Sequence, residues 1–248
     1  MSKDLSIVIP AYNEEKRISK TLESLNGYLK NQEYSYEILV VNDGSKDKTA
    51  DLVTSFEKKI PHLKLIDNVK NKGKGGVVKQ GMLIAQGKYR LFMDADNSTS
   101  IDHIEKAWPL FDEGYKIVIG SRDPKDAKGA KQAISQPLIK RILGNIGNLI
   151  IQVFAISGIW DTQCGFKVFT DEIVQEIFPK LRIERWGFDI EILFLAKKRG
   201  YKKKIGIIPV HWINDAESKV GIKGYFQVFK ELFEIRWNHL KGLYDEKR

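Results

Sequence analysis

Asp94 and Asp96 stand one small residue, Ala95, apart at the end of a short strand-like run, Tyr89-Arg90-Leu91-Phe92-Met93. By type and spacing they are the residues best suited to chemistry. In a strand, side chains at i and i+2 share a face, so the two carboxylates would converge where the strand stops. Convergent carboxylates repel unless a positive charge lies between them. A hard divalent cation, Mg²⁺ or Mn²⁺, held by one or two carboxylates and by the phosphate oxygens of a ligand, meets that need. The competing reading is that both acids solvate a strand-to-loop turn, and so short a pattern does not decide between them.

The elements around this pair supply further polar groups at equivalent places. Leu5 to Pro10, Tyr36 to Val41, Leu63 to Ile66 and Tyr115 to Gly120 read as buried strands. Helices are expected between them. The first opens with Glu14 and Glu15 at its positive end and carries the stripe Ile18, Leu22, Leu25, Leu29. Others are expected from Asp102 to Phe111 and, in the second half, from Trp186 to near Gly200. Strict strand–helix alternation predicts an α/β fold with a mostly parallel sheet covered by helices on both faces. Such sheets bind ligands at the carboxyl ends of their strands. Asn13 and Glu14 follow strand one, Asp43 strand two, Lys72 strand three, Asp94 and Asp96 strand four, and Arg122 strand five. Taken together they read as one crevice with carboxylates for a sugar or metal and cations for phosphate, which favours the metal reading of Asp94 and Asp96.

Bulk properties narrow the partners. The chain has 248 residues, 42% hydrophobic and 29% charged, with a net charge of +9 that points to an anionic ligand or surface. No RRM, KH or zinc-finger pattern accompanies that charge, so nucleic acid is not an expected partner. The lone cysteine, Cys164, excludes an internal disulfide and suits a reducing, cytoplasmic setting. A strand-like run begins within a few residues of Met1, leaving no room for a signal peptide, and no uninterrupted apolar segment is long enough to span a bilayer. The glycine-rich stretch Asn71 to Gly76 is not a P-loop, which would need glycine at Asn68 and serine or threonine at Gly75. No G-x-G-x-x-G follows strand one, and the four histidines lack zinc-site spacing.

Ile7-Val8-Ile9-Pro10-Ala11-Tyr12-Asn13-Glu14-Glu15, Val40-Val41-Asn42-Asp43-Gly44-Ser45 and Asp94-Ala95-Asp96 resemble the nucleotide-sugar half of family 2 glycosyltransferases of the GT-A fold. Gly120-Ser121-Arg122, Asp161-Thr162-Gln163-Cys164-Gly165-Phe166-Lys167 and Trp186-Gly187-Phe188-Asp189-Ile190-Glu191 are similar to the polyprenyl-phosphate branch, nearest its dolichyl-phosphate β-glucosyltransferases. The resemblance covers nearly the whole chain. It implies one GT-A domain over 1–248, with a nucleotide-sugar half at 1–121, an acceptor half at 122–221 and an amphipathic C-terminal helix at 222–248. It also implies inverting transfer of a hexose from a nucleoside diphosphate sugar, UDP-glucose first, to dolichyl or polyprenyl phosphate. N-acetylglucosamine or mannose donors, and a soluble enzyme that extends a saccharide, stay open.

Residue by residue, the resemblance implies donor contacts at Pro10, Tyr12, Glu14, Asp43 and the Asp94-Ala95-Asp96 segment, with Lys72 beside the diphosphate. Metal contacts are implied at Asp94 and Asp96. Ser98 stands where the mannose synthases commonly have Gln, which leaves a third ligand open. Arg122, with Arg141 and Asn145, is expected at the acceptor phosphate, and Asp161 is expected either as general base or as a residue that orients the acceptor. Trp186, Asp189 and Glu191 have no clear role. Cys164 lacks an adjacent base and reads as a small buried residue rather than a nucleophile.

Two segments of the second half carry alternatives. Arg122 to Gln136 reads as a lid over the crevice or as a solvated loop. Leu138 to Phe154, and Ile222 to Leu240 with Phe226, Phe229, Phe233 and Trp237 on one face, read either as core helices or as helices lying on a membrane surface. The second option, or a membrane partner subunit, would put the protein at the cytoplasmic face of a membrane.

Overall fold

Continuous aliphatic runs become strands buried on both faces, and they set the frame of the molecule. The computed structural model describes residues 3–132, 147–213 and 222–245. A seven-stranded sheet runs β3 (Leu63–Asn68), β2 (Tyr36–Asp43), β1 (Lys3–Ala11), β4 (Gly87–Met93), β7 (Phe166–Thr170), β5 (Ile117–Ser121), β8 (Ile205–Pro209). All neighbours are parallel except β7, which is antiparallel to β4 and β5. A short parallel ribbon pairs β6 (Lys131–Gln132) with β9 (His211–Trp212).

Strand alternation feeds two cores. Leu5, Ile7, Ile9, Ile38, Val40, Leu91 and Val118 pack under α1 (Ile18–Leu29) and α2 (Thr49–Glu57). Val8, Leu39, Val41, Phe92, Ile117 and Phe169 face the other way, under α3 (Lys74–Ile84), α6 (Asp171–Ile177) and α7 (Phe188–Lys198). Burial on both sides is why these strands read as unbroken apolar runs.

The structure departs from expectation in four places. Glu14 and Glu15 precede α1 and do not open it; Arg17 holds the cap position, and no acid lies in the first turn. The helix expected over 102–111 is a 3-10 turn, Ile101–Lys106, followed by a separate five-residue α4, Trp108–Asp112. Pro109 explains the break, because it has no N–H to give the Glu105 carbonyl and would clash with it. The helix expected to open at Trp186 starts at Phe188. Finally, β7 was not expected as a strand at all.

In the second half, residues 147–154 form a helix, here α5, and α8 spans Ile222–Leu240. The earlier part of the periodic segment and the end of the 122–136 loop lie outside the described residues. Both sides of the core-or-surface alternative are present on α8. Leu232 and Ile235 are buried, each worth about 1.5–3 kcal/mol relative to exposure, whereas Phe226, Phe233, Trp237 and Leu240 are exposed. Glu231 ties the helix down by accepting the Gly187 N–H at 2.7 Å. Among the described residues, no helix is long and apolar enough to cross a membrane.

Candidate active site

The chain winds from β1 outward to β3 and then returns to place β4 on the other side of β1, which creates a topological switch point. Pairing between β1 and β4 stops at Val8 with Phe92, while β1 continues to Ala11 alongside β2. The diverging ends open a crevice. Pro10 is buried at its wall, and the Tyr12 ring stands 40% exposed at its rim.

β4 ends at Met93, so strand pleat does not present Asp94 and Asp96 together as expected; both lie in the following turn. Other contacts hold each of them, and both act on the Lys74 ammonium. Asp94 receives the Lys74 ammonium at 2.5 Å, and its other side abuts Gly165, where a Cβ would come within 2.0 Å of Oδ2. Only glycine leaves room for that carboxylate. The Thr21 hydroxyl donates to the Ala95 carbonyl at 2.6 Å and fixes the turn. Asp96 accepts the Ser98 N–H at 2.9 Å and lies 3.9 Å from the Arg17 guanidinium. Burial acts to lower the Lys74 pKa, but Asp94, Asp189 and Asp96 together hold it above the usual lysine range.

The side-chain oxygens of Asn97 and Ser98 are buried without hydrogen-bond partners among the described residues. Asn97 also has a positive φ of 54°, so the turn is held in a left-handed conformation to present this segment. Asp94, Asp96 and the orphaned Ser98 Oγ are the hard oxygen donors that Mg²⁺ or Mn²⁺ takes. Among the described residues, no group of three or more His, Cys, Asp or Glu is placed to hold a metal ion. A cation held by Asp94 and Asp96 would therefore take the rest of its coordination from elsewhere, phosphate oxygens being the usual source.

Several residues expected to face a ligand are engaged by the protein itself. Asp43 accepts the Lys72 N–H at 2.5 Å, the Gly73 N–H at 3.1 Å and the Asn71 amide at 2.8 Å, so it builds the loop that starts α3. Burial raises its pKa against those donors. Both Glu14 oxygens take Arg17 donors at 2.7 Å. Lys72 turns to Gln80 at the surface, 3.0 Å away, and Lys74 occupies the crevice in its place. Gly73, with φ 82°, is the cap of α3, so Lys74 is the first residue of that helix and its ammonium reaches Asp94.

On the opposite side of the crevice, Arg122 holds Asp161 through its backbone N–H at 2.8 Å, Nε at 2.7 Å and Nη2 at 2.7 Å. Burial alone would raise the Asp161 pKa, but the Arg122 guanidinium outweighs it and keeps the carboxyl below its usual range. Arg122 also stacks 5.3 Å from the Trp212 ring centroid. The adjoining loop is anchored: Asp126 accepts the Ser121 hydroxyl at 2.8 Å and the Trp160 and Asp161 N–H groups at 2.7 Å each. Arg141 and Asn145 lie outside the described residues.

The three residues without an expected role now have places. Asp189 pairs with the buried Lys167 ammonium at 2.5 Å, and burial raises its pKa despite that partner. Trp186 lies with its ring centroid 5.7 Å from the Lys74 ammonium. Glu191 is structural. Its carboxylate takes the Arg182 and Ile183 N–H groups at 3.0 Å and the Tyr244 hydroxyl at 2.6 Å, joining α7 to the chain after α8. Burial pushes the Cys164 thiol up to about 12, which agrees with its reading as a buried, unreactive group.

The family pattern "Glycosyl transferase family 2" matches residues 6–178. A dolichyl-phosphate beta-glucosyltransferase of Trichomonas vaginalis is 38% identical over 98% of this chain and 73% of its own length. One from Dictyostelium discoideum is 37% identical over 98% of this chain and 77% of its own. Among solved structures, glucosyl-3-phosphoglycerate synthase of Mycobacterium tuberculosis, crystallised with Mn²⁺, UDP-glucose and phosphoglyceric acid, superposes with a TM-score of 0.71. That match covers 94% of this chain and 79% of the other at 15% identity, a likeness of GT-A fold alone. Since the pattern covers most of the chain and these relatives exceed 30% identity along nearly all of it, the chain belongs to glycosyl transferase family 2.

Proposed function

We propose that this glycosyltransferase moves glucose from UDP-glucose to a dolichyl or other polyprenyl phosphate, with inversion, at the cytoplasmic face of a membrane. The state of Asp161 carries this reading. A sugar hydroxyl must lose a proton as it attacks, which calls for a base with a pKa near the working pH. Asp161 is bound to three Arg122 donors and is held below the usual carboxylate range, so it is a poor base. A phosphate monoester needs none, because its second pKa is about 6 and it arrives as an anion. Asp161 then serves to fix Arg122 by its Nε–Nη2 edge, which leaves the Nη1 side of the guanidinium for the acceptor phosphate. Relatives named for the same transfer support the acceptor and sugar.

The donor enters at the β1/β4 crevice. Pro10 and Tyr12 form its wall and rim; Glu14 and Asp43 lie behind them, so ribose and base meet carboxylates already fixed by Arg17 and by the 71–73 loop. Lys74, rather than Lys72, is the lysine positioned to meet the diphosphate. Asp94 and Asp96, with Ser98 Oγ as a third oxygen, would hold a divalent cation, which when bound would offset the negative charge that grows on the departing nucleotide. Radiolabelled UDP-glucose with dolichyl phosphate is expected to give an organic-extractable product that requires Mg²⁺ or Mn²⁺ and disappears with EDTA. Absence of such a product with every common UDP- and GDP-sugar would overturn the lipid-phosphate reading.

The acceptor's chain lies in a bilayer, and α5 and α8 carry a surface suited to meet one. Leu149, Val153 and Phe154 of α5 are exposed beside Phe226, Phe233, Trp237 and Leu240 of α8, and Phe154 and Phe233 pack at 5.9 Å between centroids. Lys230 and Lys241 flank the aromatics, an arrangement of cations and rings that suits an interface. Phe226→Ser with Trp237→Ser is expected to weaken binding to anionic-lipid vesicles at least about tenfold, given ~1.5–3 kcal/mol per large apolar side chain. Unchanged co-sedimentation would remove α8 from the interface.

A further inference from the structure

The strongest unexplained feature of the crevice is that the carboxylate best placed for a metal already holds a cation. The Lys74 ammonium is 2.5 Å from Asp94 Oδ1, and the same carboxylate fills the space that a Cβ at Gly165 would take. Asp189, a second acid near Lys74, is taken by Lys167 at 2.5 Å. Asp96 has Arg17 at 3.9 Å, an arginine that also holds Glu14. Lys74, Lys167 and Arg17 thus already lie against Asp94, Asp189 and Asp96. A divalent cation entering alone would overfill this site, whereas one entering with a diphosphate brings nearly no net charge.

Lys74 also has somewhere else to go. It is the first residue of α3, whose positive end disfavours a cation, so its place depends on the carboxylates around it. Its four-carbon stem lets the ammonium swing while the backbone stays fixed. The Trp186 ring, 5.7 Å from the ammonium, borders that path. We propose that Lys74 is an exchange residue: it occupies Asp94 until a nucleoside diphosphate arrives, then passes to the phosphates and yields the carboxylate to the divalent cation. Metal and nucleotide therefore bind as a coupled pair, and each binds weakly alone. This rests on the metal-dependent glycosyltransferase reading above.

The test reads metal binding and not turnover. Free Mn²⁺ is measured by its EPR signal as wild type, Lys74→Met and Lys74→Gln are titrated with and without saturating UDP. Circular dichroism establishes that both variants are folded. For wild type, UDP is expected to tighten Mn²⁺ binding at least about tenfold, within the ~5–150-fold span of ordinary coupling between sites, and Mn²⁺ must tighten UDP equally. Removing the ammonium should tighten Mn²⁺ binding without nucleotide at least about tenfold and abolish most of the coupling. Nucleotide-free affinity that is unchanged or weaker in both folded variants overturns the exchange. Absence of Mn²⁺ binding to wild type even with UDP overturns the metal seat itself, and so separates failure of the parent reading from failure of this one.

Discussion

Asp94→Ala lowers kcat by about 10²–10³-fold or more, the range seen when one preorganised electrostatic stabiliser is taken from a transition state. The expectation comes from how the carboxylate is held. It is gripped by Lys74 on one side and by the bare face of Gly165 on the other, and its own N–H donates to the Gly165 carbonyl at 3.2 Å. That backbone bond survives the substitution. The side chain is 33% exposed and its partner 21%, so losing the pair weakens the fold little once solvent screening is counted. The effect should therefore fall on turnover and leave the melting transition close to that of wild type. Parallel measurement of product formation and thermal unfolding separates the two. Turnover within about tenfold of wild type would remove Asp94 from the metal seat; a collapsed melting transition would make it structural.

Residues close in sequence were legible, and pairings across the fold were not. The alternation of apolar runs with helical stripes gave the parallel sheet and its carboxyl-end crevice, because strands buried on both faces announce themselves. Asp94 and Asp96 were expected to share a strand face, but β4 ends at Met93 and neither lies in it. Bonds from the Thr21 hydroxyl to the Ala95 carbonyl and from the Ser98 N–H to Asp96 fix that segment instead. β7 was hidden because Phe166 to Thr170 follows directly on a polar motif, and its antiparallel partners come from β4 and β5, far off in sequence. The same limit hid the partners of the charged residues. Arg122 and Asp161 are 39 positions apart and Lys167 and Asp189 are 22 apart, so no spacing rule joins them. Asp43 and Glu14 show a related ambiguity. A carboxylate at a strand end looks the same in sequence whether it awaits a ligand or, as here, holds its own loop.

Lys167→Ala is the substitution with the largest expected cost to stability, about 3–5 kcal/mol, the penalty of removing one partner from a buried ion pair. Lys167 lies at the centre of the sheet, opposite Phe92 on β4 and Ile119 on β5, and is fully buried. Its ammonium donates to the Cys164 carbonyl at 2.6 Å and to Asp189 at 2.5 Å, and lies 5.3 Å from the Phe92 ring centroid. Without it, Asp189 is a buried carboxylate facing only the more distant Lys74, and the Cys164 carbonyl loses a donor. A second variant tells the pair from mere loss of volume. Lys167→Met with Asp189→Leu removes both charges and refills the space, a replacement that is often neutral and can be stabilising by about 1–4 kcal/mol. The double variant should thus recover most of the loss in urea unfolding. Because Asp189 also faces Lys74 across the crevice, that recovery should come without recovery of transfer activity. A single-variant cost below about 1 kcal/mol, the level of exposed ion pairs, would mean that the ammonium reaches water and that the sheet centre is not closed around it.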